Sequence, residues 1–172
     1  MERRGIVQIY TGEGKGKTTA ALGQAVRATG HGWKVLIIQF LKDRQTGEIK
    51  AAKNIPNLTI LQFGSGHFVN NKPTQEDFDI AQRAWQTARD SVLSEKYDMV
   101  ILDEINLAVH YKMIDVQAVL RLIEQRPSHV ELILTGRYAH PRLIEMADLV
   151  SEIKVIKHPY ARGISAREGV EY

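Results

Sequence analysis

Short runs of branched and aromatic apolar residues alternate along the chain with stretches whose apolar positions recur every three or four residues. Six runs read as strands: Ile6 to Thr11, Lys34 to Leu41, Leu58 to Phe63, Met99 to Leu102, Val130 to Thr135 and Leu149 to Ile156. Most are continuously apolar, the pattern of parallel strands covered on both faces. Two of the intervening helices carry their own start signals. Thr74 is an N-cap with Asp77 three residues on, and Phe78, Ala81, Trp85, Ala88 and Val92 then fall on one core-facing stripe, which makes Trp85 a packing residue. Asp115 caps a second helix, with Val116, Val119, Leu120 and Ile123 on one face, until Arg126-Pro127 stops it. The alternation predicts βα units: an α/β fold with a mainly parallel sheet of about six strands flanked by helices.

Composition narrows the class without changing that picture. The 172 residues are 44% hydrophobic and 25% charged, ordinary values for one globular domain, and no repeat, low-complexity tract or long linker divides them. A single domain over residues 1–172 is expected, large enough to bury roughly 70% of the surface of its unfolded chain. With no cysteine, disulfide scaffolds, Cys-ligated zinc, iron-sulfur clusters and thiol nucleophiles are excluded. The six histidines show no ligand spacing, so no histidine metal cluster is expected. No apolar run approaches the roughly 20 residues of a membrane span, and Met1-Glu2-Arg3-Arg4 opens no signal-peptide pattern, so a cytoplasmic location is expected. The 23 basic and 20 acidic residues are scattered, with a net charge of +3, which speaks against a nucleic-acid partner.

The chemistry concentrates in Thr11-Gly12-Glu13-Gly14-Lys15-Gly16-Lys17-Thr18-Thr19, directly after the first strand and opening an alanine-rich helix. Backbone amides of such a glycine-rich turn, with the positive end of the helix dipole, cradle phosphate oxygens. Lys17 adds a mobile cation and Thr18 a hydroxyl suited to magnesium. Thr11 stands where the common form of this loop has glycine, and the glycine has moved to Gly12. The run Met99 to Leu102 ends in Asp103-Glu104, and either carboxylate can reach the magnesium shell from the carboxyl end of a parallel strand. Leu134-Thr135-Gly136-Arg137 ends a later strand similarly, and Arg137 fits a phosphate contact or a solvated surface position. The segment from Gly64 to Pro73 is irregular and carries an apolar Phe68-Val69 pair, which fits a binding loop or a surface excursion. These residues reach a magnesium nucleotide enzyme. They leave open a P-loop ATPase, a small-molecule kinase or a non-catalytic nucleotide-binding module.

The sequence resembles the P-loop family of ATP:corrinoid adenosyltransferases. The match runs through Tyr10 to Ala21, Gln39-Phe40-Leu41-Lys42, Gly47-Glu48, Leu102-Asp103-Glu104-Ile105-Asn106, Arg126-Pro127, Leu134-Thr135-Gly136-Arg137, Ala147-Asp148-Leu149-Val150, Lys157-His158-Pro159-Tyr160 and the ending from Gly163-Ile164 through Gly169-Val170-Glu171-Tyr172. The resemblance implies a RecA-like fold and transfer of the 5′-deoxyadenosyl group of ATP to the Co(I) centre of a reduced corrinoid, with release of triphosphate. It implies Mg2+, ATP and a reduced corrinoid as cofactor and substrates, a flavoprotein reductant as a partner, and a homodimer. In that reading Gly12, Gly14, Lys15, Gly16, Lys17, Thr18, Thr19 and Arg137 hold the nucleotide. Thr18, Asp103 and Glu104 hold the metal, and Lys17 and Glu104 act in catalysis. The family usually has Gly-Phe-x-Trp after the third strand. Here Gly66-His67-Phe68-Val69 places His67 and Val69 at the aromatic positions, and Phe68, one residue out of register, is expected to cover the corrinoid.

Overall fold

The fold is given by a computed structural model, which describes residues 4–66 and 72–172. Phe68, His67 and Val69 lie outside the described residues. Six strands form one sheet: β1 (Val7–Thr11), β2 (Val35–Phe40), β3 (Leu58–Phe63), β4 (Met99–Asp103), β5 (Glu131–Thr135) and β6 (Leu149–Glu152). Their order is β3-β2-β4-β5-β1-β6, and every pairing is parallel. The expected α/β fold with a parallel sheet of six strands is therefore present. Because β5 is inserted between β1 and β4, the residues at the carboxyl ends of these three strands lie side by side.

Successive strand residues point to opposite faces, and each face has its own core. Against one face lies α1 (Lys17–Thr29), through Ala21, Ala25 and Ala28 packed on Ile37, Ile101 and Ile133. Alanine on this helix face lets α1 approach the sheet closely. The opposite face, through Ile9, Ile38, Val100, Leu102 and Leu134, carries a larger core shared with α3 (Gln75–Leu93), α4 (Ile105–His110), α5 (Val116–Gln125) and the buried Leu143. The expected caps are formed. Thr74 and Asp77 make a reciprocal capping box on α3, and the Asp115 side chain accepts from Gln117 N on α5, which ends before Arg126-Pro127. Trp85 and Phe78 pack partly buried against the core, as the stripe requires. The short helices α2 (Gly47–Ala52) and α6 (Pro141–Met146), like α4, span too few residues to show a periodic stripe.

The sixth strand departs from expectation. It ends at Glu152 rather than Ile156, and its residues are exposed, because β6 is an edge strand. Beyond it the chain leaves the sheet and crosses the turn that follows β1. Ile153 N donates to Thr11 O at 2.8 Å, and Gly14 N donates to Ile153 O at 2.7 Å.

Candidate nucleotide site

The glycine-rich turn is shaped by this crossing. A Cβ on Gly14 would lie 2.7 Å from Ile153 Cγ2 and 2.8 Å from Ile153 O, and one on Gly12 would lie 2.4 Å from Ile153 O. Only glycine permits the chain after β6 to lie against the turn. Gly16, at φ 125°, then bends the backbone into α1 in a conformation that side chains disfavour. Here α1 differs from α3 and α5 in having no side-chain cap at its N-terminus, and from α3 also in having no acidic residue in its first turn. The orphan amides and the positive end of the dipole are left for an anion.

Lys17 lies buried beneath this end, its Nζ donating to Gly12 O at 2.8 Å and Gly14 O at 2.7 Å. Burial lowers its pKa from the ordinary lysine value, and the Arg137 charge acts in the same direction. The next residue, Thr18, donates its hydroxyl to Asp103 Oδ1 at 2.9 Å. Asp103 is 1% exposed, and three further donors converge on it. Thr135 Oγ1 donates to Oδ1 at 2.6 Å, while Lys42 Nζ and Gln39 Nε2 donate to Oδ2 at 2.7 Å and 3.2 Å. The Lys42 ammonium also donates to Thr18 Oγ1 at 3.1 Å. Burial works against the Lys42 charge, but Asp103 and Glu104 outweigh it and hold its pKa above the ordinary lysine value.

Glu104 adopts a left-handed backbone, φ 65°, in the turn between β4 and α4. Its N–H donates to Thr135 Oγ1 at 3.0 Å, so one hydroxyl on β5 fixes both carboxylate residues at the end of β4. Burial, and then the neighbouring Asp103 charge, raise the Glu104 carboxyl above the usual carboxylate range, against the pull of Lys42, Lys17 and Arg137. Gly136 leaves room for this side chain: a Cβ there would lie 3.1 Å from Glu104 Oε2.

Of the residues singled out from sequence, Lys15, Gly16, Lys17, Thr18, Thr19 and Glu104 line one cavity of about 610 Å³. Gly12 and Gly14 shape the turn beneath it, and Asp103 stands behind Thr18. Arg137 does not line the cavity; half exposed, it pairs with Glu13 of the turn at 3.2 Å. The remaining walls come from the segment after β2, including Leu41 and Lys42, and from the last residues of the chain. Lys15 Nζ reaches Glu171 Oε1 at 2.8 Å and Val170 O at 3.0 Å.

Three participants escaped sequence reasoning as site residues: Lys42, Gln39 and Thr135. Lys42 and Thr135 carry the same signal as Asp103, a polar residue where an apolar strand run ends. Only strand order shows that they converge on one carboxylate.

A family model described as ATP:corrinoid adenosyltransferase BtuR/CobO/CobP matches residues 3–172. Among curated relatives, a corrinoid adenosyltransferase of Sinorhizobium sp is 39% identical over 176 residues, covering 99% of this chain and 82% of the relative. The corrinoid adenosyltransferase of Escherichia coli K12 is 34% identical, covering 100% and 88%. Corrinoid adenosyltransferase CobA of Salmonella typhimurium is 33% identical with the same coverage.

Proposed function

The chain belongs to the ATP:corrinoid adenosyltransferase family, and from that premise we propose how its residues move the 5′-deoxyadenosyl group of ATP to the Co(I) centre of a reduced corrinoid. A bond forms between cobalt and the ribose 5′ carbon as the bond from that carbon to the triphosphate oxygen breaks. Both electrons of the new bond come from Co(I), and triphosphate leaves with the electron pair of the broken one. Catalysis then consists of holding the 5′ carbon open to the corrinoid and stabilising charge on the leaving group.

The observation that carries this reading is the uncapped start of α1 beside Lys17, facing the cavity. It is a cradle for the triphosphate, in which the amides from Lys15 to Thr19 and the Lys15 and Lys17 ammonium groups meet phosphate oxygens. Arg137 adds charge from beside Glu13.

Thr18 and Asp103 offer hard oxygen donors 2.9 Å apart, with Glu104 beside them, and an ammonium already bridges Thr18 and Asp103, so the donor set fits a divalent cation. Mg2+ held there by Thr18 with Asp103 and Glu104 would supply further neutralisation of the departing triphosphate. Thr135 and Gln39 fix the Asp103 carboxylate toward Thr18. In this reading residues 1–172 act as one P-loop domain, Phe68 contributes to covering the corrinoid, and a flavoprotein supplies the electron that makes Co(I). The exposed apolar side chains around β6, Leu149, Val150 and Ile156, fit burial against a second copy in a homodimer. No helix among the described residues is long and apolar enough to cross a membrane, in keeping with a cytoplasmic site of action.

The cradle is tested by inorganic tripolyphosphate. It is expected to compete with ATP for the wild-type protein and to lose that competition in Thr18→Ala and Lys17→Ala. Equal competition in all three proteins would contradict the assignment.

A further inference from the structure

Lys42 has no task in the reading above, yet its ammonium makes the shortest contact on the outer oxygen of Asp103, 2.7 Å from Oδ2, and also meets Thr18 Oγ1 at 3.1 Å. The Thr18 hydroxyl spends its one proton on Asp103 Oδ1, so it meets Lys42 with a lone pair. Two oxygens from opposite sides of the cleft, one on α1 and one on β4, thus converge on a single positive charge. Those are the lone pairs that a divalent cation held by Thr18 and Asp103 needs.

The rest of the cluster is fixed. Asp103 is 1% exposed, Thr135 and Gln39 are fully buried, and all three are anchored at strand ends. The Lys42 side chain is 30% exposed, starts just beyond β2 after Leu41 at φ 59°, and lines the cavity. Lysine carries a compact charge on a flexible four-carbon stem, so its head can leave while its backbone stays in place.

We propose that Lys42 is a resident counter-cation that occupies the divalent-cation position between Thr18 and Asp103, and that the metal binds there only by displacing this ammonium toward the cavity. The inference rests on the reading that Thr18 and Asp103 hold a divalent cation. Displacement has a consequence for the reaction: each metal that arrives releases a second positive charge onto the wall facing the triphosphate. Without nucleotide, the lysine satisfies Asp103 and keeps metal affinity low.

The test is Mn2+ binding to the full chain without nucleotide, followed by electron paramagnetic resonance of the free ion. K42M is expected to bind Mn2+ at least about tenfold more tightly than wild type, because a charge-assisted contact no longer competes. Arg44→Met removes a charge from the same cavity wall and is the control for the general field; it is expected to shift affinity less than about threefold. D103N in the K42M background is expected to abolish the gain. Should K42M fold poorly, K42Q, which keeps a donor but no charge, is expected to fall between K42M and wild type.

The proposal is overturned if both Lys42 variants bind no more tightly than wild type, including no detectable binding by any protein. It is equally overturned if R44M gains as much, or if the gain survives D103N. Wild-type adenosyl transfer is measured separately. Its absence would remove the functional reading and leave the Mn2+ comparison standing, whereas normal transfer with unchanged Mn2+ affinity removes only this inference.

Discussion

Thr135→Val deletes one hydroxyl at the most enclosed junction of the site. That oxygen is fully buried, donates to Asp103 Oδ1 at 2.6 Å and accepts from Glu104 N at 3.0 Å. Valine keeps the branched shape and suits a central strand, so cavity formation contributes little. The Glu104 N–H loses its acceptor, at a cost of about 1–3 kcal/mol for an unsatisfied buried donor. Asp103 keeps Thr18, Gln39 and Lys42 and loses one charge-assisted bond, worth about 1.5 kcal/mol at the low end of its range. The added methyl recovers up to about 0.8 kcal/mol by burial. The net loss is about 2–4 kcal/mol. Urea unfolding followed by circular dichroism, without nucleotide, measures it as a lower midpoint with unchanged slope. A double-mutant cycle with Asp103→Asn is expected to show coupling of about 1 kcal/mol or more, since the residues are in contact. A loss below about 0.5 kcal/mol, or additive effects, would refute the claim that Thr135 ties the acidic strand end to β5.

Lys17→Ala is expected to lower adenosyl transfer by about 10²–10³-fold, the effect of removing one preorganised charge from a leaving group, with a near-native unfolding midpoint. Near-normal turnover would count against the cradle. Gly14→Ala forces a Cβ against Ile153 and Lys154 backbone oxygens and is expected to cost about 1–3 kcal/mol in urea unfolding, with weaker ATP binding by calorimetry. For pH dependence, Glu104 has a raised carboxyl pKa in the folded protein, first by burial and then by Asp103, so the folded state holds a proton that the unfolded state releases. Stability is therefore lost as pH rises from the ordinary carboxylate range through the raised folded value. Glu104→Gln lacks this loss, and its stability relative to wild type is expected to improve as pH rises above the ordinary carboxylate range of about pH 4. Parallel stability curves would show that Glu104 is not so perturbed.

The inner strands were legible because doubly covered strands are mostly apolar: β1, β2, β4 and β5 differ from expectation only at their ends, while β3, a partly buried edge strand, matches residue for residue. The caps at Thr74 and Asp115 were legible because their hydrogen bonds are local in sequence. β6 was overextended because Ile153, Val155 and Ile156 are as apolar as strand residues, yet the first of them is used to cover the glycine turn. That Thr18 would face the acidic end of β4 was legible because each sits in a recognisable local context, but which of Asp103 and Glu104 its hydroxyl meets was not. The convergence of Gln39, Lys42 and Thr135 on the same carboxylate was not, since it depends on β2, β4 and β5 being neighbours, and strand order leaves no local mark. Likewise, nothing near Lys15 in the chain indicates that Glu171 will pair with it.

The central claim is that the glycine turn and Lys17 hold a triphosphate that departs intact. Anaerobic incubation of the protein with magnesium ATP and chemically reduced cobalamin or cobinamide tests it most directly, with the light-sensitive adenosyl-cobalt spectrum and the phosphate product followed together. The account predicts an alkylated corrinoid and inorganic triphosphate in equal amounts. ADP and phosphate, formed at a rate indifferent to the corrinoid, would contradict it and mark the site as one that cleaves between phosphates.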